Sequence, residues 1–215
     1  MDRSSRRVRQ PEHLLAPPQA LGGARGLAQD LEILPDRAQR AGADPLERVL
    51  HGRHLCSGKK RGLHVGKTRK GKGTKLMVLA DGQGIPLGVS LHSASPGETQ
   101  LAPETLATVR VGRRRPGRPR QNPDRLICDR GYDSLPFRRW LLKRGIELIA
   151  PHLSTRKRIH QDGRPLRRYR RRWKIERTIA WLGNFRRVGV RWDRDITIYR
   201  AFVHLACLVI TSRRL

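Results

Sequence analysis

Two apolar runs joined by a short polar turn are the clearest feature of the hydrophobic pattern. Residues 75–80 (KLMVLA) and 85–91 (IPLGVSL) are largely apolar, and the turn between them is Asp81-Gly82-Gln83-Gly84. Runs of this length around a Gly-containing turn are typical of a β-hairpin. The residues before the hairpin, 59–74, are basic and rich in glycine, which predicts a loop.

Helical and strand-like patterns alternate after the hairpin. Residues 125–128 (RLIC) and 146–150 (IELIA) are short apolar runs typical of strands. Ser134 and Gly145 stand where the intervening helix needs an N-cap and a C-cap. We therefore predict an α/β fold. The predicted order is hairpin, α, β, α, β, α, α, with helices over 98–110, 135–144, 166–185 and 196–212.

Composition divides the chain into two parts. Of its 215 residues, 47 are Lys or Arg and 18 are Asp or Glu, so the formal net charge is +29. Residues 1–58 contain no lysine and no aromatic residue, which makes them poor material for a core. We predict a poorly ordered segment over 1–58 and one catalytic or binding domain over 59–215.

The charge indicates the class of partner. A chain this basic seeks polyanions, and nucleic acid is the commonest of these. The same charge argues against most classes of enzyme that act on small molecules. We therefore expect DNA as the partner and no small-molecule substrate. The apolar stretch over 201–210 is too short to cross a bilayer, and the N-terminus lacks the apolar run of a signal peptide. We expect no membrane partner and a cytoplasmic, nucleoid-associated location in a bacterium.

Metal sites built on histidine or cysteine are not indicated. The three cysteines are scattered, and the eight histidines lack the spacing of metal ligands. The carboxylates are few and therefore more informative. Asp129 follows a short apolar strand, where a ligand or catalytic group is as well explained as a turn-capping aspartate. Asp133 is better explained as an acid at a helix N-terminus.

Glu176 is the second candidate carboxylate. Tyr169, Arg172 and Glu176 are spaced i, i+3 and i+7 and share one helix face. The alternative is a surface glutamate paired with nearby arginines. Asp129 and Glu176 on different elements could hold a divalent ion, and Mg²⁺ or Mn²⁺ suits oxygen ligands. Two carboxylates are few for the two ions of a phosphoryl-transfer site, so a third is expected.

Basic loops supply the candidate phosphate contacts. Gly66-Lys67-Thr68 resembles the end of a P-loop but lacks the preceding glycine, so we interpret it as a phosphate-contacting loop. Gly117-Arg118-Pro119 is either a minor-groove hook or a solvated linker. The predicted DNA-binding residues are Lys67, Arg69, Lys70, Lys72, Arg130, Tyr169, Arg172, Arg186 and Arg187.

Four segments resemble one group of bacterial insertion-sequence transposases of the DDE type, the IS-five-like branch of the IS-four superfamily. The segments are 65–97, 125–134 (RLICDRGYDS), 169–187 (YRRRWKIERTIAWLGNFRR) and 199–209. The resemblance implies an RNase H-like fold with a mixed sheet and flanking helices, a catalytic Asp-Asp-Glu triad, a divalent metal, and cleavage and strand transfer at element ends. It assigns Asp129 as the second Asp and Glu176 as the Glu. Where the wider family often carries a lysine, seven residues after the Glu, this chain has Gly183.

The first Asp of that triad is missing. One permitted set of codons for residues 47–59, read one nucleotide later, encodes S-E-C-F-M-D-G-T-F-A-P-A, which resembles the family's motif. Its Asp falls across the codons of Gly52 and Arg53. We therefore interpret residues up to about 58 as out of frame and expect a core truncated at its N-terminal side, without its central strand. Asp81, in a hairpin turn, is a poor substitute.

Two functions follow from these observations. The first is a transposase that is inactive as written because one catalytic acid is missing. The second is a non-catalytic, basic DNA-binding remnant of the element. Both imply salt-sensitive binding to DNA. The number of copies in the active assembly is left open.

Overall fold

The computed structural model describes residues 44–59, 61–69, 71–112, 119–157 and 166–214. Among these residues, seven strands form one mixed sheet with helices on both faces, which agrees with the predicted α/β class. The strands are β1 Val49–Gly58, β2 Gly66–Thr68, β3 Gly71–Ala80, β4 Pro86–Ser93, β5 Arg125–Ile127, β6 Glu147–Ile149 and β7 Val190–Arg191.

The sheet is centred on β1. The strand order is β2-β3-β1-β5-β6, with β4 paired to β3 and β7 paired to β1. β1 runs antiparallel to β3 and parallel to β5, and β5 runs parallel to β6. The carboxyl ends of β5 and β6 therefore lie at one edge of the sheet, and β1 runs past this edge in the same direction.

The presence of β1 corrects one expectation from the sequence. Residues 49–58 were expected to lie outside the domain, and the sheet was expected to lose its central strand. Instead β1 pairs with β3 from Leu50 to Ser57, and Val49 and Leu50 are buried. The physical reason is that Val49, Leu50 and Cys56 are apolar enough to pack without any aromatic residue in the segment. Residues 1–43 lie outside the described residues.

Two hydrophobic cores lie on the two faces of the sheet. The helices are α1 Glu98–Ala107, α2 Leu135–Leu142, α3 Leu166–Tyr169, α4 Trp173–Gly183, α5 Arg186–Gly189 and α6 Ile196–Ser212. The first core contains Leu106 of α1 and Leu141 of α2, and the second contains Ile175 of α4 and Val203 of α6. Hence α1 and α2 cover one face, and α4 and α6 cover the other. None of the described helices has the length and apolar character needed to cross a membrane.

The predicted elements largely agree with this structure. The hairpin over 75–91 is confirmed as β3 and β4, and the last helix is confirmed as α6. Gly145 follows α2 with a φ of +72°, a conformation that suits glycine at a helix C-terminus. Two predictions were wrong in detail. The loop predicted over 59–74 contains β2 and the start of β3. The single helix predicted over 166–185 is divided by a 3₁₀ turn at Arg170–Arg172, within a run of like charges that disfavours a continuous α-helix.

Candidate active site

Asp129 lies at the carboxyl edge of the sheet, directly after β5 and Cys128. One of its carboxylate oxygens accepts a hydrogen bond from the backbone N–H of Arg130, which caps the 3₁₀ turn Arg130–Tyr132. The other oxygen lies 3.6 Å from Nη2 of Arg172. The side chain is 46% exposed. Asp129 is therefore a turn cap and also presents an oxygen outwards, so the two interpretations of this residue are compatible.

Glu176 reaches the same edge from the first turn of α4. Its carboxylate forms an ion pair with Nη1 of Arg172, and its side chain is 60% exposed. Ile175 and Thr178 face the protein interior instead, which directs Glu176 outwards. The two predicted carboxylates thus contact opposite nitrogens of one guanidinium group, so the structure brings Asp129 and Glu176 together around Arg172. The same guanidinium lies 6.0 Å from the ring of Tyr169.

No third carboxylate lies beside this pair on β1. Val49 pairs with Leu126 and Leu50 with Ile127, so the same register continued by two residues sets Gly52 beside Asp129. The next residue, Arg53, forms an ion pair with Glu98, the first residue of α1. Among the described residues, no group of three His, Cys, Asp or Glu side chains is arranged to hold a metal ion. The residues present therefore do not fit a two-ion site.

Asp81 is engaged elsewhere. Its carboxylate accepts hydrogen bonds from the backbone N–H groups of Gln83 and Ile85, both at 2.8 Å. Burial raises the pKa of Asp81, although these bonds oppose the rise. Asp81 follows Ala80, which pairs with Leu50, so it lies roughly 10 Å along the sheet from residue 52. It holds the β3–β4 turn and is not a substitute for the missing acid.

Asp133 differs from the helix-terminal acid expected there. Its side chain is fully buried and accepts hydrogen bonds from Arg138 at 3.1 Å, from Arg156 at 2.6 Å and from the backbone N–H of Leu153 at 3.0 Å. His152 lies 3.3 Å from both carboxylate oxygens. Burial alone raises the pKa of this carboxyl, but the hydrogen bonds outweigh burial and lower the pKa to about 2. Asp133 therefore ties the segment after β6 to α2.

The predicted DNA contacts fall into separate groups. Lys67, Arg69 and Lys72 are exposed on the β2–β3 hairpin, while Lys70 lies outside the described residues. Gly73 pairs with Ser57, so Lys72 is level with the end of β1, roughly 20 Å along the strand from residue 52. Arg130 is exposed beside Asp129.

Of the remaining predicted contacts, Tyr169 and Arg172 lie beside the carboxylates, and Arg186 and Arg187 lie on α5. Arg186 and Arg187 are exposed. The guanidinium of Arg187 lies 4.9 Å from the ring of Phe202 and its Nη1 lies 3.8 Å from Asp193. Gly117 and Arg118 lie outside the described residues.

Two features near the site were missed by sequence reasoning. One is the Arg53–Glu98 ion pair, which joins residues that no local pattern connects. The other is His51, which is buried edge-on against Tyr132 with ring centroids 4.9 Å apart. Neither nitrogen of His51 nor the hydroxyl of Tyr132 has a hydrogen-bond partner among the described residues. Burial lowers the pKa of His51 to about 3. The only signal in the sequence for the buried His51 is its position within an apolar run.

Comparison with known proteins agrees with this architecture. Residues 45–210 match the family described as "Transposase DDE domain". The chain is 35% identical over 206 residues to the putative transposase for insertion sequence element IS402 of Burkholderia cepacia, and the match covers 92% of each chain. It is 28% identical over 141 residues to the putative transposase for element IS6501 of Brucella ovis, which covers 65% of this chain and 98% of that one.

The fold also resembles a solved structure, the piggyBac transposase in a synaptic complex with hairpin DNA. The TM-score is 0.52 at 12% identity, and the match covers 79% of this chain and 48% of the other. At this level of identity the likeness concerns the fold alone, and it agrees with an RNase H-like core.

Proposed function

The chain belongs to the transposase DDE domain family, and from that premise we propose that it binds insertion-sequence DNA but does not cut it. One observation carries this proposal. Asp129 and Glu176 share the guanidinium of Arg172 at the sheet edge, and the position beside Asp129 on β1 is a glycine. The site thus has two of the three carboxylates that the Asp-Asp-Glu triad requires.

A divalent ion, Mg²⁺ or Mn²⁺, would be held by Asp129 and Glu176 if this site bound one. Two such ions stabilise both the attacking and the leaving oxygen of a phosphoryl transfer when they are bound. Both carboxylates here are already paired with Arg172, and the third ligand is missing. We therefore assign no metal-dependent step to this chain. The hypothesis that residues up to about 58 are read out of frame explains the missing acid, and the nucleotide sequence of codons 45–62 tests it directly.

The distribution of charge supports DNA binding. The net charge of +29 favours contact with phosphates by release of counterions. The exposed hairpin residues Lys67, Arg69 and Lys72 lie roughly 20 Å along β1 from the carboxylates. That distance corresponds to about six nucleotides at 3.4 Å per nucleotide. A DNA duplex that contacts both the β2–β3 hairpin and the sheet edge is positioned through its phosphate backbone. The Asp129–Glu176 pair then lies at one end of the DNA-contacting surface.

Binding and cutting are tested separately. We expect the full chain to bind a short DNA duplex of arbitrary sequence, with an affinity that falls roughly a thousandfold or more between 50 and 200 mM salt. We expect no nicking of supercoiled plasmid in Mg²⁺ or Mn²⁺ beyond that in a chelator. Nicking that requires the metal and disappears in Asp129→Asn would show that the chain is an active transposase, and the proposal would then be wrong.

A matched pair of variants locates the DNA surface. Replacing Lys67 and Arg69 by alanine should make the logarithmic salt dependence shallower by about 2, because two phosphate contacts are lost. Arg139 of α2 and Lys143, which directly follows α2, are exposed near the opposite edge of the sheet, and replacing both removes the same charge. That control should change the slope little. Equal effects of the two pairs would contradict the assignment of the hairpin as a DNA-contacting surface. The binding would then depend on total charge and not on position.

A further inference from the structure

We infer that residue 52 is the position on β1 from which a side chain can join Asp129 and Glu176, and that α4 has closed this position in the present chain. The inference rests on the proposed function and explains at the level of packing why the site does not fit a metal pair. It also assigns the missing acid to position 52 and not to position 53, whereas the shifted reading frame places its Asp across the codons of both.

Strand register supplies the first step. The parallel pairs Val49–Leu126 and Leu50–Ile127 lead to Gly52 beside Asp129. Neighbouring strands are about 4.8 Å apart. A carboxylate at residue 52 is therefore within the spacing at which two carboxylates can share a divalent ion.

Side-chain alternation supplies the second step. Leu50 and Ile127 lie in the same core as Ile175 of α4, and Val49 and Leu126 lie in the core on the opposite face. Successive residues of a strand point to opposite faces. Positions 52 and 129 therefore share the α4 face, the face from which Glu176 approaches. Arg53 belongs to the other face, and its ion pair with Glu98 of α1 agrees with this.

Packing supplies the third step. A Cβ atom on Gly52 would lie 2.6 Å from Cγ1 of Ile175 and 2.8 Å from Cδ1 of Ile179. Both distances are shorter than carbon atoms tolerate. Because Ile175 is completely buried, it has little freedom to move. Helix α4 therefore lies as close to β1 as a glycine permits, and an acid at residue 52 needs a smaller residue at 175.

The experiment uses the full chain and measures Mn²⁺ binding by calorimetry and by the loss of the free-ion electron paramagnetic resonance signal. The parent variant is Ile175→Ala, which removes Cγ1, the side-chain atom nearest to a Cβ at residue 52. Adding Gly52→Asp should tighten Mn²⁺ binding at least about tenfold, since even outer-shell partners change metal affinity by 10–100-fold. Adding Arg53→Asp instead introduces the same acid one residue away on the other face, and it should bring no gain. Asp129→Asn should abolish the gain from Gly52→Asp.

Three outcomes would overturn the inference. They are a gain with Arg53→Asp but not with Gly52→Asp, no gain in a Gly52→Asp protein that still unfolds cooperatively, or tight binding by the unsubstituted chain that depends on Asp129. If Gly52→Asp does not fold, Gly52→Ala tests the packing by itself. That variant should lower Tm by several degrees, and Ile175→Ala should remove most of the additional loss caused by the new methyl group. An unchanged Tm in Gly52→Ala would contradict the closure by α4. DNA binding, measured on the same proteins, reports on the proposed function independently.

Discussion

Asp129 and Asp133 lie four residues apart in one segment, yet their side chains have opposite surroundings. Asp129 is 46% exposed, caps a short turn and meets one guanidinium at 3.6 Å. Asp133 is fully buried and receives hydrogen bonds from two arginines and a backbone N–H group. The first carboxylate is partly exposed to solvent beside a single guanidinium, whereas the second is buried and saturated by protein donors.

The difference comes from where each residue stands relative to the sheet. Asp129 follows β5 at the open edge, where Arg172 at the amino end of α4 approaches its carboxylate. Asp133 contacts the segment after β6 in the protein interior. There Arg138 also donates hydrogen bonds to the carbonyl groups of Leu148 and Ala150. We conclude that the same residue type serves as a candidate ligand at one position and as a structural anchor at the other.

The largest expected effect is on stability at Asp133. Asp133→Ala removes the carboxylate that the largely buried guanidinium groups of Arg138 and Arg156 contact, and it should lower the free energy of unfolding by about 3–5 kcal/mol. Asp129→Ala should cost about 1 kcal/mol, because an exposed ion pair and one turn cap are lost. Urea unfolding of both variants measures the contrast. Similar losses in the two proteins would mean that the two aspartates do not differ as described.

The next effect is on acid sensitivity. The pKa of Asp133 is about 2 in the folded protein and 3.8 ordinarily, so its contribution is complete above about pH 4 and is lost as the pH falls towards 2. The difference corresponds to about 2 kcal/mol. Asp133→Asn should remove this part of the pH dependence.

A second buried group changes stability over a neighbouring range. The pKa of His51 is lowered by burial to about 3, so stability also falls as the pH drops from about 6.5 towards 3. This fall occurs in the unsubstituted chain and in Asp133→Asn alike. The difference between their unfolding curves therefore isolates Asp133, and identical curves below pH 4 would argue against a lowered pKa at this residue.

The smallest expected effect is at Arg172. Its carboxylate partners are largely exposed, so Arg172→Gln should change the free energy of unfolding by less than about 1 kcal/mol. Arg138→Gln is the matched control, because the same substitution there removes donors to the buried carboxylate of Asp133. It should cost more than Arg172→Gln. The reverse order would show that the pair at the sheet edge is a structural element.

Local patterns predicted much of this domain. The β3–β4 hairpin and α6 follow from apolar periodicity and turn residues, which act over a few residues, whereas the joint approach of Asp129 and Glu176 was expected from the family resemblance. The interrupted helix before α4 was not predicted, because the repeating positions Tyr169, Arg172 and Glu176 carry no signal for a 3₁₀ turn. The strand β1 was not predicted either, because its composition resembles a linker and its stability comes from pairing with β3.

The sequence by itself determined the charge of this protein, its family, and the scarcity of carboxylates that makes Asp129 and Glu176 stand out. Only the tertiary structure decided that Asp133 is buried against Arg138 and Arg156, and that Gly52 faces α4 beside Asp129 while Arg53 pairs with Glu98. The physical reason is range. Charge and periodicity are properties of neighbouring residues, whereas strand register, sheet face and close packing depend on partners tens of residues away in the chain.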